Sequence, residues 1–445
     1  MNCKRLLVIL LSAMVVLVTA CSSSGKNTEQ SEAGGDNAAK VSDKPVEINL
    51  WSGYPELDPW FNKMADAYHT QHPNVTIHIS SFPLRDFEKK VATSVPSNSA
   101  AEIITINPSI ALRYIQTDMI QKAPEDLATM VKSGIFPKVL VDDASYNNNV
   151  YGIPHMLANS AIFYNTKMFE EAGIKEPPKT MDELIKDAEM LTKRDASGKV
   201  IRSGLSLRLS GGGSGVAEKF WIFAMQNGAS ILKEVSPGKY RANYANEGGL
   251  KTLQMYVDMV HKTHVDDPAL KHDAEAFELQ DTAMFVRETW VIGDIQKKSP
   301  DLQYATAPMP SANLLVEKDF YVTNAAKGDK QAAAWDFIRF LMQPENHIQQ
   351  LEMSGWHPAR TDLKLDDIFA KTPQFESFFA NYDHLEVYPL LPEFDEIATK
   401  FADRLATKGY VDASFVDNPD KMMQFLQDAA KETNDILKQN GHLAE

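Results

Sequence analysis

The sequence predicts an α/β protein in which mostly parallel sheet is flanked by helices, and three observations near the start of the chain carry that class. Val46, Ile48 and Leu50 alternate with Glu47 and Asn49, and Val75, Ile77 and Ile79 repeat the alternation, which is the period of a strand. Between them Leu57, Trp60, Phe61, Met64 and Tyr68 recur at spacings of three and four, one face of a helix that Pro73 stops. Glu102–Ile106 is short and almost continuously apolar, as a strand covered on both faces should be. A helix follows it through Tyr114. Strand and helix repeated three times imply right-handed crossovers and a parallel sheet. Ligands of such sheets sit beyond the carboxyl ends of the strands, which singles out Ser52–Glu56 and Asn107–Ser109. Plain turn chemistry is the competing reading of both loops.

Tyr151–Asn165 reads as an extended segment, a polar break at Asn159 and Ser160, and a second apolar strand from Ala161 to Tyr164. Two prolines, Pro177 and Pro178, precede Thr180 and Glu183, which have the spacing of a capping box. Ser210–Gly215 is glycine-rich but lacks the Lys-Ser/Thr pair of a phosphate loop, so it reads as a mobile cleft edge or as an ordinary surface loop. Phe220, Trp221 and Phe223 open an aromatic helix. Thr282–Val286 and Ala305–Met309 are short strands, the first running into Arg287, Glu288 and Trp290. Phe320–Val322 is another strand, and 332–342 and 345–353 are helices.

At 445 residues the chain exceeds one ordinary core, and two or three domains are expected. Lys4 and Arg5 before the apolar run Leu6–Val18 make residues 1–20 a signal peptide, too short in its apolar part to span a bilayer. Val18-Thr19-Ala20-Cys21 has the pattern of a bacterial lipobox, with Cys21 as the lipidated residue. Residues 21–44 are rich in Ser, Gly, Ala, Asn and charge, which makes a flexible tether. Of the two cysteines, Cys3 leaves with the signal and Cys21 carries lipid, so no disulfide or Cys metal site remains. Loss of Lys4 and Arg5 takes the formal charge from −15 to −17, which argues against nucleic acid and against electrostatic adhesion to anionic lipid.

Catalytic constellations do not assemble. His69 with His72 and His261 with His264 are spaced three apart, but no third ligand stands near either pair, so no metal site is predicted. No Gly-x-Ser-x-Gly elbow occurs. Acidic pairs such as Asp142-Asp143 are too common in this acidic chain to mark a glycosidase dyad. No cofactor is expected.

Several stretches together carry a resemblance. They are Tyr151-Gly152-Ile153-Pro154 followed by Phe163-Tyr164-Asn165, then Phe169–Ile174, Pro177–Leu184, Ala334–Leu341 and Gly355–Arg360. Over residues 45–440 the chain resembles the family 1 extracellular solute-binding proteins of bacterial ABC transporters, the group that includes maltose- and glycerol-3-phosphate-binding proteins. The resemblance implies a two-lobed, type II periplasmic-binding-protein-like fold with a hinge between lobes. It implies one lobe from 45–156 and 307–343 and the other from 157–306 and 344–445, with crossings near Met156–Asn159, Ala305–Pro308 and Met342–Pro344. Position by position it implies ligand contacts at Tyr54, Glu56, Asn107, Asn159, Ser160, Glu288, Trp290, Tyr321, Trp356, Arg360 and Tyr388. Trp221, from the aromatic helix, joins them as a candidate. Maltose-binding members carry a carboxylate at the crossing where this chain has Ala158, which argues against a maltodextrin.

These readings converge on a substrate-binding lipoprotein of an ABC importer. It is expected to be a monomer held by lipid on the outer face of the cell membrane of a Gram-positive bacterium. It is not an enzyme, and it delivers a mono- or oligosaccharide to permease subunits. Aromatic faces, amides, carboxylates and guanidinium suit sugar rings and hydroxyls. Two alternatives remain: a binding protein for a sugar phosphate or other phosphate ester that uses Arg360, and a secreted carbohydrate-active enzyme.

Overall fold

The computed structural model describes residues 44–210, 213–271, 273–380 and 384–445. The signal peptide, the lipidation site Cys21 and nearly all of the tether lie outside the described residues, as do Gly211 and Gly212 of the glycine-rich loop. Among the described residues no helix is long and apolar enough to cross a membrane.

The alternating start of the chain forms the strand Val46–Ser52, which pairs in parallel with Val75–Ser81 on one side and with Ile103–Ile106 on the other. Helix Asp58–Gln71 lies between them in sequence and buries Trp60, Phe61, Met64 and Tyr68, the face that the three-four spacing predicts. All four residues of Ile103–Ile106 are buried, as their unbroken apolar run requires. The same sheet continues through Ala312–Val322, Ile153–Ala158 and His357–Pro358, each antiparallel to its neighbour. Helix 344–354 packs on helix 58–71 and leads into that last strand.

A second sheet has Ser160–Asn165 at its centre, between Met284–Glu288 and Tyr304–Pro308. The two-lobed α/β class holds, but the strands of this second sheet run antiparallel and not parallel. The reason lies at the crossing. Only Asn159 separates strand Ile153–Ala158 in the first sheet from Ser160–Asn165 in the second. The chain therefore enters the second sheet at Ser160, and Tyr304–Pro308 must run back toward the same edge to rejoin the first sheet. Pro308 accordingly stands opposite Ala161, and Glu288, the end of the third strand, stands opposite Ser160.

The strand Ala312–Val322 is longer than its sequence suggests. Leu314–Val316 and Phe320–Val322 are apolar, but Glu317, Lys318 and Asp319 interrupt the run between them. All three are buried nevertheless. Its first half pairs with His384–Val387 and its second half with the large sheet.

Apolar cores fill both lobes. Phe61, Tyr68, Phe320 and Phe337 belong to the core on the large sheet. Helix Gly215–Met225 is buried almost all round; its Phe220 and Phe223 meet Tyr256, Phe220 also meets Phe401, and Trp221 meets Tyr388 and Phe394. The capping box of Thr180 and Glu183 forms as read from the sequence. Phe163, on the central strand of the second sheet, is fully buried and meets the rings of Phe285, Tyr304 and Phe378. Phe163→Ala is expected to cost about 3–5 kcal/mol, the usual range for truncating a buried phenylalanine. Urea unfolding followed by near-ultraviolet circular dichroism measures it, and a loss under about 1 kcal/mol would contradict this packing.

Candidate functional site

A cleft with about 330 Å³ of free volume opens between the two sheets. That is near the lower end of small-molecule sites and suits one or two sugar-sized rings. It is lined on one side by Tyr54, Glu88, Asn107 and Trp356, and on the other by Glu218, Glu288, Tyr388 and Asp395. Ser160, at the crossing, and Lys318, on the long strand, form part of its floor.

Local structure explains how these groups reach the cleft. Tyr54 follows the carboxyl end of the first strand, and its backbone N–H is held by the Ser52 hydroxyl. Asn107 follows the third strand and precedes Pro108, the first residue of a helix. Proline supplies no N–H, and the Asn107 side chain makes no capping bond, so its amide remains unspent. Gly355 ends a helix in the left-handed region at φ 75°. A Cβ there would come within 3.2 Å of the Trp290 Cα, so glycine allows the turn that delivers Trp356. Trp356 meets Tyr54 edge to face at 5.6 Å. Across the cleft, Tyr388 stacks on Trp221 at 5.7 Å. Its hydroxyl donates to Glu218 at 2.5 Å.

Charge is dense and mostly paired. Lys219 is buried beneath the floor and donates to Glu288 at 2.6 Å. Arg287 stands 3.4 Å from Glu288 and 3.2 Å from Asp273. Burial alone would raise the Glu288 carboxyl, but Arg287, Lys219 and Arg208 outweigh it and hold the group far below the usual carboxylate range. The Trp290 indole N–H also donates to Glu288, at 3.1 Å. Arg85 of the first lobe reaches Asp395 of the second at 3.2 Å and Glu88 at 2.9 Å, and so bridges the mouth of the cleft. Among the described residues no three His, Cys, Asp or Glu side chains come together to hold a metal ion.

The candidates from the sequence divide by location. Tyr54, Asn107, Ser160, Glu288, Trp356 and Tyr388 line the cleft. Asn159 is buried beside it and donates to the carbonyl of Phe378 at 2.6 Å. Trp221 lies behind Tyr388, with its N–H on Glu386 at 2.6 Å. Glu56 and Trp290 line a separate groove with Lys297 and Gly355. Tyr321 is enclosed in the first lobe, its hydroxyl on Asp319 at 3.1 Å. Arg360 holds Asp362 with two nitrogens, at 2.8 and 2.7 Å, and the Met342 carbonyl with the third at 2.5 Å, so each of its three nitrogens is engaged within the protein and its charge is paired with Asp362. Sequence reasoning missed Arg85, Glu88, Arg208, Glu218, Arg287, Lys318 and Asp395. No local motif marks them, although Glu317–Asp319 inside an apolar stretch was a detectable irregularity.

A family model for bacterial extracellular solute-binding proteins matches residues 63–377, which is more than half of the chain. The chain belongs to that family. It is similar to the diacetylchitobiose binding protein DasA of Streptomyces coelicolor, with 21% identity over 82% of this chain and 84% of that protein. It is also similar to a lactose-binding protein of Rhizobium radiobacter, with 24% identity over 60% of this chain and 62% of that protein. Among solved structures it resembles an ABC transporter solute binding protein of Thermotoga lettingae bound with alpha-D-tagatose. The TM-score there is 0.72 at 18% identity, covering 88% of this chain and all of that one, and this likeness speaks to the fold.

Replacing Glu288 with Gln is expected to lower stability at neutral pH by about 1–3 kcal/mol, because Lys219 and Arg287 lose their shared carboxylate and keep only Glu218 and Asp273. Since the folded-state pKa of Glu288 is depressed, its contribution is present above about pH 4 and is lost as pH falls. The gap between wild type and variant should therefore narrow from pH 7 to pH 3 in urea titrations. A gap independent of pH would contradict the ion-pair assignment.

Proposed function

We propose that this protein is the extracellular substrate-binding component of an ABC importer and that it captures a mono- or oligosaccharide in the cleft by closure of the two lobes. The observation that carries this reading is the cleft itself. It has aromatic rings on both walls, Tyr54 and Trp356 on one and Tyr388 on the other, with amide, hydroxyl, carboxylate and cationic groups between them. Aromatic faces pack against the C–H faces of sugar rings, while the polar groups meet hydroxyls. The relatives named for lactose and diacetylchitobiose support the same class. Contacts from both lobes are what closure needs, since a ligand shifts a conformational equilibrium only by its preference for one state.

The lobes we propose are those of the sequence reading, with one refinement: the packing of 344–360 on the large sheet supports counting that segment with the first lobe. Asn159 and the link from Pro308 to Ala312 are the hinge segments. The mature protein acts as a monomer, tethered through lipid on Cys21 and handing its solute to permease subunits. The phosphate-ester alternative loses its main support, because Arg360 is committed to Asp362 and to the Met342 carbonyl.

Two experiments test this reading. A panel of sugars, polyols and glycosides is screened by thermal shift and by X-ray scattering. The fitting saccharide should add about 2.7 kcal/mol at one hundred times its Kd and should reduce the radius of gyration. Trp356→Ala should weaken its binding by about tenfold or more, the scale of a lost aromatic contact. Binding by no member of the panel, or sustained release of product from a glycoside, would count against the proposal. For the anchor, wild type expressed in a Gram-positive host should incorporate labelled palmitate and Cys21→Ala should not; equal labelling would remove the anchor.

A further inference from the structure

The number of charges along the cleft is balanced, but their pairing is not. Glu88, Glu218, Glu288 and Asp395 line it on the acidic side. Each has an Arg or Lys nitrogen within ion-pair distance: Arg85 for Glu88 and Asp395, and Lys219 for Glu218 and Glu288. Of the cations that line the cleft, Arg208 and Arg287 share Asp273. Lys318 is different. It is 5% exposed, and among the described residues no carboxylate lies within ion-pair reach. One of its three N–H bonds goes to the carbonyl of Glu317 at 3.1 Å. Its nitrogen stands 5.6 Å from the centre of the Tyr54 ring. Two donors remain unspent, on a group that burial penalises while it stays charged.

The neighbours of Lys318 do not supply the missing anion. Glu317 and Asp319 flank it on the same strand, but they turn to the opposite side, toward Asp143. Burial raises all three of these carboxyl groups, Asp143 to about 7, and favours their protonated forms. From helix Gly215–Met225 and helix Leu84–Ser94, Glu218 and Glu88 face Lys318 at longer range, and each is already tied to another cation. From the adjoining strand, His155 is neutral, its pKa pulled down to about 3 chiefly by burial. Other donors unspent in the cleft include the Tyr54 hydroxyl, the Asn107 amide and the Trp356 indole N–H.

We propose that the solute is an acidic saccharide, a sugar or short oligosaccharide bearing a carboxylate, and that Lys318 receives this carboxylate. The inference rests on the solute-binding reading above and narrows its substrate class. A neutral sugar closing over Lys318 would strip the cation of water without giving it a counter-charge. A phosphate dianion would bring one charge more than Lys318 neutralises, and that surplus would face Glu88 and Glu218. A single carboxylate matches the single unpaired ammonium and can take both of its remaining donors. Burial lowers the pKa of Lys318 to about 8, so the docking charge is present at neutral pH and is lost on the alkaline side.

Isothermal calorimetry on the full-length mature protein tests the assignment. The probes are galacturonate, glucuronate and digalacturonate, their neutral counterparts galactose, glucose and galactobiose, and glucose 6-phosphate. At pH 7 the best acidic sugar should bind at least tenfold more tightly than its neutral counterpart. This preference should disappear in Lys318→Met while the melting temperature changes little. In wild type, affinity for the acidic sugar should fall between pH 7 and pH 9. A neutral or phosphorylated sugar that binds as well as or better than the acidic ones would overturn the assignment and leave the solute-binding reading intact. So would a preference for acidic sugars that survives in Lys318→Met. Binding by none of these probes would overturn the assignment and count against the solute-binding reading as well.

Discussion

One residue, Asn159, separates strands that belong to different sheets, and the rest of the structure depends on that junction. The backbone has no slack there. Asn313 clamps it from the long return strand: its side-chain carbonyl accepts from Ser160 N–H at 3.1 Å and its amide donates to the Ser160 carbonyl at 2.7 Å. Asn159 is held by the Phe378 carbonyl. Two crossings are thus fastened to each other by side-chain amides, which satisfies backbone groups that neither sheet reaches. Ser160, Glu288 and Pro308 end up along one edge of the second sheet because the chain must leave and return there. The floor of the cleft is a consequence of that constraint.

Electrostatics on this floor follow the same geometry. Glu288 arrives opposite Ser160 at the end of its strand, directly above Lys219 of a helix that is buried on nearly every face. Ions in such a place are tolerable only as a network, and Lys219, Glu218, Glu288, Arg287, Asp273 and Arg208 form one. A network that is already satisfied orients its members but offers little new charge to a solute. The groups with bonding capacity left over are therefore more informative about the ligand than those with the most charge. Arg85, reaching from the first lobe to Asp395 of the second, adds a half-exposed contact across the mouth. A contact of that kind contributes a few tenths of a kcal/mol to about 1 kcal/mol at most, so it can bias closure without dictating it.

How far a residue's partners lie along the chain decides whether its role is legible in the sequence. Residues whose role depends on near neighbours were legible: the alternation of Val46–Leu50, the one-sided helix from Trp60 to Tyr68, the capping box at Thr180, and the loops after the first and third strands that bring Tyr54 and Asn107 to the cleft. Residues whose role depends on distant partners were not. Arg360 has the chemistry of a ligand contact, yet Asp362 and a backbone carbonyl consume it. Tyr321 and Trp221 are aromatic and stand near functional segments, but each is turned into a core. Lys318 hid inside a charged interruption that concealed a strand.

By itself the sequence determined the α/β class, the positions of the first strands and helices, and the family, because these rest on periodicity and on local residue patterns that every fold of the type must satisfy. Only the tertiary structure decided that the second sheet is antiparallel, which candidates face the cleft, and which charges there find partners. Those outcomes depend on contacts such as Lys219 with Glu288, between residues 69 positions apart. Strand direction, burial and pairing are set when segments meet in space, and no local spacing encodes them.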